Sequence, residues 1–329
     1  SLLNKIKYSV KMNIPYNLTS REQKQDNIQI EFFVTLSLEK NSSLVKVDIE
    51  VENRAIEHRV RVLFKTGIES TESIADQQFG TIRRPVYLSE VENWRENGWN
   101  EKPRTIEPMQ SFVSLANDHE NVSIITDCVR EYQITGEKFD TIALTLFRST
   151  PEMGKAELKD RPGRASGMAN WETPDANLLK NLKFNFAIAI GKEEYSISKV
   201  SNISKEYLTP FYYYQAAEFK NVDIFFLMNK PEIQNVPFDY SIFSSENRNC
   251  ILSTVKKAEK DDALIIRVYN PDDKKSTNFD IIYHDDIKNV SLVKFDEKTI
   301  MDNIDFSFTK NKIKINEVKT CQALSIKVK

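Results

Sequence analysis

Short runs in which apolar and polar side chains alternate recur along most of this 329-residue chain, and no other feature restricts its fold as much. Successive side chains of an extended strand point to opposite faces, so a period of two lays one apolar row on one side of a sheet. From Leu44 to Glu52, Val45, Val47, Ile49 and Val51 point one way while Lys46, Asp48, Glu50 and Glu52 point the other. The pattern returns at Ile28 to Leu38, Arg59 to Phe64, Thr141 to Phe147, Phe184 to Ile190, Leu264 to Tyr269, Phe279 to Tyr283, Lys312 to Val318 and Leu324 to Val328. Residues that favour reversal separate the runs, among them Lys40-Asn41-Ser42, Thr66-Gly67, Thr135-Gly136-Glu137 and Asn270-Pro271-Asp272-Asp273. The expected fold class is all-β, built from antiparallel meanders and sandwiches. Helical periodicity is poor, and only segments such as Ser201 to Tyr207 or Pro231 to Asn235 suit a turn or two of helix.

Two stretches, Gln77 to Gln110 and Ser149 to Lys180, lack a period and hold Trp94, Trp99 and Trp171 among Gly, Pro, Arg and Glu. Their aromatic and arginine content predicts long ordered loops, which on a rigid scaffold are the usual carriers of binding residues. A second change of composition runs from Asn221 to Asn249, through Asn229-Lys230-Pro231. The sequence therefore predicts two domains, 1–240 and 241–329, the second of a size that suits a small sandwich.

Charge and chemistry exclude several functions. Forty-six basic against forty-eight acidic residues leave a formal charge of -2, which gives no field for drawing in nucleic acid. No stretch approaches the roughly 20 apolar residues of a membrane-spanning helix. Cys128, Cys250 and Cys321 are odd in number and widely spaced, unlike a disulfide framework, so a reducing cytoplasm is the expected location. His58, His119 and His284 show no ligand spacing, so no zinc or other metal is expected to be bound by this chain.

The segment from Ala75 to Pro85 gathers amide, carboxylate, aromatic and guanidinium groups, a set that suits a sugar's hydroxyls and C–H face. The same residues also suit a structural loop in which Asp76 caps a turn and Arg83 or Arg84 pairs with acids on a neighbouring strand. Asp127, Arg130 and Glu131 form another polar group, but with 48 acids in the chain such neighbours arise by chance. A glycosidase needs two carboxyl groups at a defined separation, which sequence does not give. Tyr212-Tyr213-Tyr214 could line a sugar groove, although adjacent aromatics in a strand must divide between its faces and at least one then belongs to the core.

An ordered set of motifs adds to this reading. Asp76-Gln77-Gln78-Phe79-Gly80 with Arg84-Pro85 resembles the D-x-Q-F-G-x-x-x-R-P signature in the C-terminal part of bacterial family 38 glycoside hydrolases, the α-mannosidases. Pro108 to Val113 resembles the family's P-M-Q-x-F-V strand, and Thr141 to Ser149 its T-I-A-L-T-L-x-R-S strand. Thr173 to Asn177 resembles its T-P-x-A-Q loop, with Asn177 in place of the more frequent Gln. Leu252 to Glu259 and Leu264 to Pro271 resemble paired strands of its terminal sandwich. The set runs from about residue 45 to the end, and within the family it is most similar to the mannosylglycerate hydrolase branch.

The resemblance implies a large mutarotase-like β-supersandwich, lacking its first strands, followed by a small C-terminal β-sandwich. It implies a retaining α-mannosidase whose nucleophile, acid catalyst and zinc belong to an N-terminal catalytic domain, which would be this chain's own partner. The substrate implied is an α-mannoside of the mannosylglycerate type, no catalytic residue is expected here, and homo-oligomerisation is left open. Loops of this portion would reach the rim of the sugar site, with Asp76, Gln77, Phe79, Arg83, Arg130 and Glu131 as the candidates. A free-standing carbohydrate-binding or adhesive module is the alternative, since sandwiches host many functions.

Overall fold

The computed structural model describes residues 2–156, 158–163, 171–213 and 240–329, and the chain divides into two compact units, Ser1–Val200 and Ser201–Lys329. The boundary expected near residue 240 falls at the margin of the undescribed segment 214–239. The helical turn expected at Pro231 to Asn235, the run Asn229-Lys230-Pro231 and Tyr214 lie outside the described residues. Tyr212 and Tyr213 are almost fully exposed and lie in no strand.

In the first unit an eight-stranded sheet runs in the order β1 (Leu3–Ile14), β2 (Ile28–Glu39), β3 (Leu44–Glu52), β12 (Asn181–Gly191), β9 (Asn121–Thr126), β8 (Phe112–Ala116), β5 (Glu72–Gln77), β6 (Gly80–Pro85). A four-stranded sheet has the order β4 (Arg59–Lys65), β11 (Thr141–Arg148), β10 (Arg130–Thr135), β7 (Ile106–Met109). Every pairing is antiparallel. The two sheets share one core, with Val47, Ile49 and Phe186 from the larger and Tyr132, Ile142 and Leu144 from the smaller. The alternation of β3 works as the sequence predicts: Val47, Ile49 and Val51 are buried while Asp48, Glu50 and Glu52 face solvent.

One strand breaks its own alternation. Between Thr145 and Phe147 the register of β11 against β4 shifts by a bulge, so Phe147 pairs with Val60 and Arg148 with Arg59. An extra residue reverses the faces of everything after it. Leu146 and Phe147, adjacent in sequence, both enter the core as a result.

Eight strands are faced by four, and the surplus shows on β1. Its Ile6, Tyr8, Val10 and Met12 lie in register with Leu36, Val34, Phe32 and Ile30 of β2, on the face that forms the core further along the sheet. On β1 these four side chains are exposed. The opposite face carries Lys5, Lys7 and Lys11.

The second unit pairs two four-stranded sheets: β13 (Phe243–Ser244), β16 (Thr277–Tyr283), β19 (Lys312–Val318), β18 (Phe306–Phe308); and β14 (Ile251–Lys257), β15 (Leu264–Tyr269), β20 (Ala323–Val328), β17 (Val290–Val293). Ile266, Ile281, Ile313 and Ile326 fill the space between them. The turn signal at Asn270 has a physical basis: its buried side chain donates to the carbonyls of Lys275, Val318 and Lys319 and accepts from Asp272 N. A helix, α1 (Ile197–Leu208), is longer than the turn or two expected at Ser201 to Tyr207. Ser201 and Ser204 occupy buried positions on it, which weakens its apolar period in the sequence.

Candidate functional site

The segment with the sugar-binding composition folds as the β5–β6 hairpin, with Gln77 paired to Gly80 and Gln78 and Phe79 forming the loop. Phe79, not the neighbouring glycine, takes the left-handed backbone, at φ +59°, an arrangement that costs an L-residue roughly 1–2 kcal/mol. The Gln77 amide donates to the Thr81 carbonyl at 3.3 Å and so closes the loop from inside. Gln78 is left exposed and Phe79 half-buried at the tip.

Asp76 is buried, and its Oδ2 accepts a 2.5 Å hydrogen bond from Ser111 Oγ. The Asp76 carbonyl accepts from Gln110 N, and Ser111 O accepts from Thr126 N. The carboxylate therefore ties the end of β5 to the residue before β8, and the backbone of that residue in turn holds the end of β9. Arg83 pairs with Glu72 at 2.6 Å on the adjacent strand, as in the structural alternative. Arg84 reaches Glu107 Oε2 at 3.1 Å and the Pro108 carbonyl at 3.1 Å on β7. It also meets the hydroxyl of Tyr132 on β10 at 3.4 Å, and that hydroxyl shares a 2.9 Å bond with Ser73 Oγ. The arginine of the R-P motif thus joins the two sheets.

Arg130 and Glu131 are neighbours on β10 and point to opposite faces. Arg130 Nη1 donates to the Leu146 carbonyl at 3.0 Å, a group that lies at the bulge of β11. Its guanidinium lies 5.3 Å from the Phe184 ring centre, and Nη2 meets Asp127 at 3.4 Å. Arg130 Nε is buried without a hydrogen-bond partner. Glu131, on the outer face, takes Arg148 Nε at 2.8 Å and Arg59 Nη1 at 3.6 Å. Burial pushes its carboxyl up, but hydrogen bonds from Arg148 and Thr145 and the charges of Arg148 and Arg59 outweigh burial and hold it below the usual carboxylate range.

Register gathers most of these groups at one end of the sandwich: the hairpin tip, Gln110-Ser111, Thr126-Asp127 and the start of β10. Arg83 lies further along β6, opposite Ile74. Asp76 and Glu131 are both committed to internal hydrogen bonds, so neither is offered as a general acid or base. What reaches solvent is amide, aromatic and guanidinium surface, able to hold a polar ligand's edge but carrying no acid–base pair. Sequence reasoning passed over Ser111, Tyr132, Arg59, Arg61 and Arg148. Arg59 and Arg61 alternate visibly, but the bulge that brings Arg148 beside them has no sequence signal.

A zinc ion does not fit these residues. Among the described residues no three His, Cys, Asp or Glu side chains converge as a metal would require. His58 Nε2 is buried without a partner, its Nδ1 lies 3.2 Å from the Ile56 carbonyl, and its ring meets Phe147 edge-on. Its surroundings are aliphatic and aromatic rather than ligating.

Residues 7–152 match the family model described as Glycosyl hydrolases family 38 C-terminal domain, and residues 249–326 match Glycosyl hydrolases family 38 C-terminal beta sandwich domain. A curated relative from Halalkalibacterium halodurans, named "Putative mannosylglycerate hydrolase", is 24% identical over 282 residues, which is 84% of this chain and 28% of that protein. An alpha-mannosidase from Enterococcus faecalis V583 superposes with a TM-score of 0.73 at 15% identity, covering 99% of this chain and 34% of that one. A glycosyl hydrolase family 38 protein from Enterococcus faecalis gives 0.72 at 15% identity, with 99% and 35% covered. At that identity the superpositions speak for the fold alone. The chain spans about a third of the length of these relatives.

Proposed function

The chain belongs to glycoside hydrolase family 38 as its C-terminal region, and from this we propose that it is the non-catalytic β-portion of a retaining α-mannosidase. In that reading it packs on a catalytic barrel and supplies loops to the rim of the sugar site. The exposed apolar stripe of β1 carries the proposal. Ile6, Tyr8, Val10 and Met12 are 63%, 47%, 41% and 49% exposed along one face of an edge strand. Together they present on the order of 400 Å² of surface, the size of patch that marks an interaction face. A second copy is a poor cover for this edge, because antiparallel self-pairing would bring Lys5, Lys7 and Lys11 against one another.

Gln77 and Phe79 would stand at the rim itself, with Asp76, Arg83, Arg130 and Glu131 shaping it from behind. The substrate class is an α-mannoside of the mannosylglycerate type, which the name of the curated relative supports. Zinc would be held by the catalytic barrel. The three free thiols fit a cytoplasmic enzyme. The test is hydrolysis of an aryl α-mannoside, with zinc added, by this chain and by a polypeptide that also carries a family 38 barrel. Turnover only by the longer protein is expected, and turnover by this chain alone would overturn the reading.

A further inference from the structure

The outer face of the four-stranded sheet holds an arrangement that sheet energetics disfavours. Across β4 and β11, Arg59 lies directly opposite Arg148, and Arg61, two residues along on the same face, lies opposite Thr145. Like charges directly opposite one another destabilise a sheet. The bulge after Thr145 creates the pairing, because without it Arg148 would point into the core.

Glu131 is the one carboxylate that pairs with these arginines among the described residues. Arg148 and Arg59 both approach the same oxygen, Oε1. Arg61 turns instead to a neutral partner, Gln133 Oε1, at 2.9 Å. Three guanidinium groups against one carboxylate leave an excess of two positive charges. The side chains of Arg59 and Glu131 are 26% and 29% exposed, so water screens the cluster only in part. Burial first, and then the charges of Arg61 and Arg148, pull the Arg59 guanidinium below its ordinary range against the pull of Glu131. On the same face Leu63 is 61% exposed opposite Ala143 and offers an apolar floor beside the charges.

We propose that Arg59, Arg61 and Arg148 form a binding site for a dianionic oxyanion of the phosphate class, carried on a small organic body that rests on Leu63. Guanidinium forks match phosphate oxygens in geometry and hold their charge at any working pH. Two excess positive charges match a phosphate monoester and exceed what a single carboxylate needs. The ligand would relieve the repulsion that the bulge imposes.

Thermal unfolding of the full chain is followed while inorganic phosphate, glycerol 3-phosphate or acetate is titrated at ionic strength fixed with sodium chloride. A saturable rise in melting temperature with both phosphates, tighter for glycerol 3-phosphate and absent for acetate, is expected. Tighter binding of inorganic phosphate than of the ester would remove Leu63 and the organic body from the proposal. Arg59→Gln and Arg148→Gln abolish the rise, whereas Arg54→Gln, remote from the cluster, keeps it. Arg61→Gln serves where those variants fold poorly, since Arg61 has no carboxylate partner to lose. Glu131→Gln tightens phosphate binding several-fold, an outcome that a purely structural ion pair does not give. Equal responses to phosphate and acetate, or a phosphate response that survives Arg61→Gln, would overturn the proposal.

Discussion

Replacing Arg130 by methionine separates an arginine that holds the fold from one that holds a ligand. Methionine keeps the aliphatic stem over Phe184 and removes every donor. Three interactions are then lost, and their sizes differ. The charged hydrogen bond to the Leu146 carbonyl is worth about 1.5–3 kcal/mol, because its loss leaves a buried carbonyl at the bulge short of a donor. The guanidinium over the Phe184 ring adds about 0.5–2 kcal/mol. The pair with Asp127, whose side chain is 43% exposed, adds between zero and about 1 kcal/mol. Relief of the partnerless Nε works in the other direction, so a net loss of about 2–3 kcal/mol is expected. For a unit of roughly 200 residues this lowers the melting temperature by about 5–10 °C. Calorimetry reads the shift on the transition of the Ser1–Val200 unit, and urea unfolding with an unchanged m-value confirms that stability alone has moved. A companion cycle with Phe184→Leu measures the coupling between the two side chains. A melting temperature within about 1 °C of the parent would refute the account of Arg130 as a brace for the bulge. It would return the residue to the sugar rim, where a longer mannosidase carrying the same change should lose turnover.

Tyr132→Phe removes a buried hydroxyl shared by Ser73 and Arg84 and should cost about 1–2 kcal/mol in urea unfolding. Burial depresses the pKa of His58, so the folded state binds fewer protons than the unfolded state as pH falls through the ordinary histidine value. Stability is then full above about pH 6.5 and declines below it, and His58→Gln should flatten that decline in melts between pH 7 and 5. Burial pushes the Cys250 thiol up to about 12 while Cys128 is exposed, so a thiol reagent near pH 8 should label Cys128 in the folded chain and reach Cys250 only at the rate of unfolding. Paired substitutions Ile6→Lys and Val10→Lys should abolish docking of this chain on a separately supplied family 38 catalytic barrel in sedimentation velocity and move the melting temperature of the chain little, because these side chains are already exposed.

Most strands were legible because alternation reports burial directly. Leu44 to Glu52 and Ile28 to Leu38 needed only one solvated face and one buried face, and became β3 and β2. Arg83 too was readable as a partner for an acid on a neighbouring strand, in this case Glu72. The rest depended on contacts between positions far apart in the chain. Tyr132 and Ser73 meet over 59 positions, and Asp76 and Ser111 over 35, with nothing local to announce either. The strand β1 alternates as cleanly as β3, yet its apolar row faces water, since period fixes which side chains share a face and not whether anything covers it. The long aperiodic segment from Gln77 to Gln110 holds β6 and β7 because Gly80 to Pro85 and Ile106 to Met109 are specified by their neighbours rather than by their own pattern.

The bulge of β11 gives this strand an arithmetic that substitutions do not touch. Up to Thr145 the strand obeys one parity and after it the other, so its length matters as much as its composition. Exchanging one side chain for another of similar size alters a single contact. Deleting Leu146 would remove the bulge and leave Phe147 opposite Val60 and Arg148 opposite Arg59, whereas closing the bulge with every residue kept would turn Phe147 to water and Arg148 toward the aromatic interior beside Phe184. Loss of one residue is therefore absorbed at the bulge, where it removes the surplus, while at a regular position of the strand it puts the side chains on its two sides out of phase.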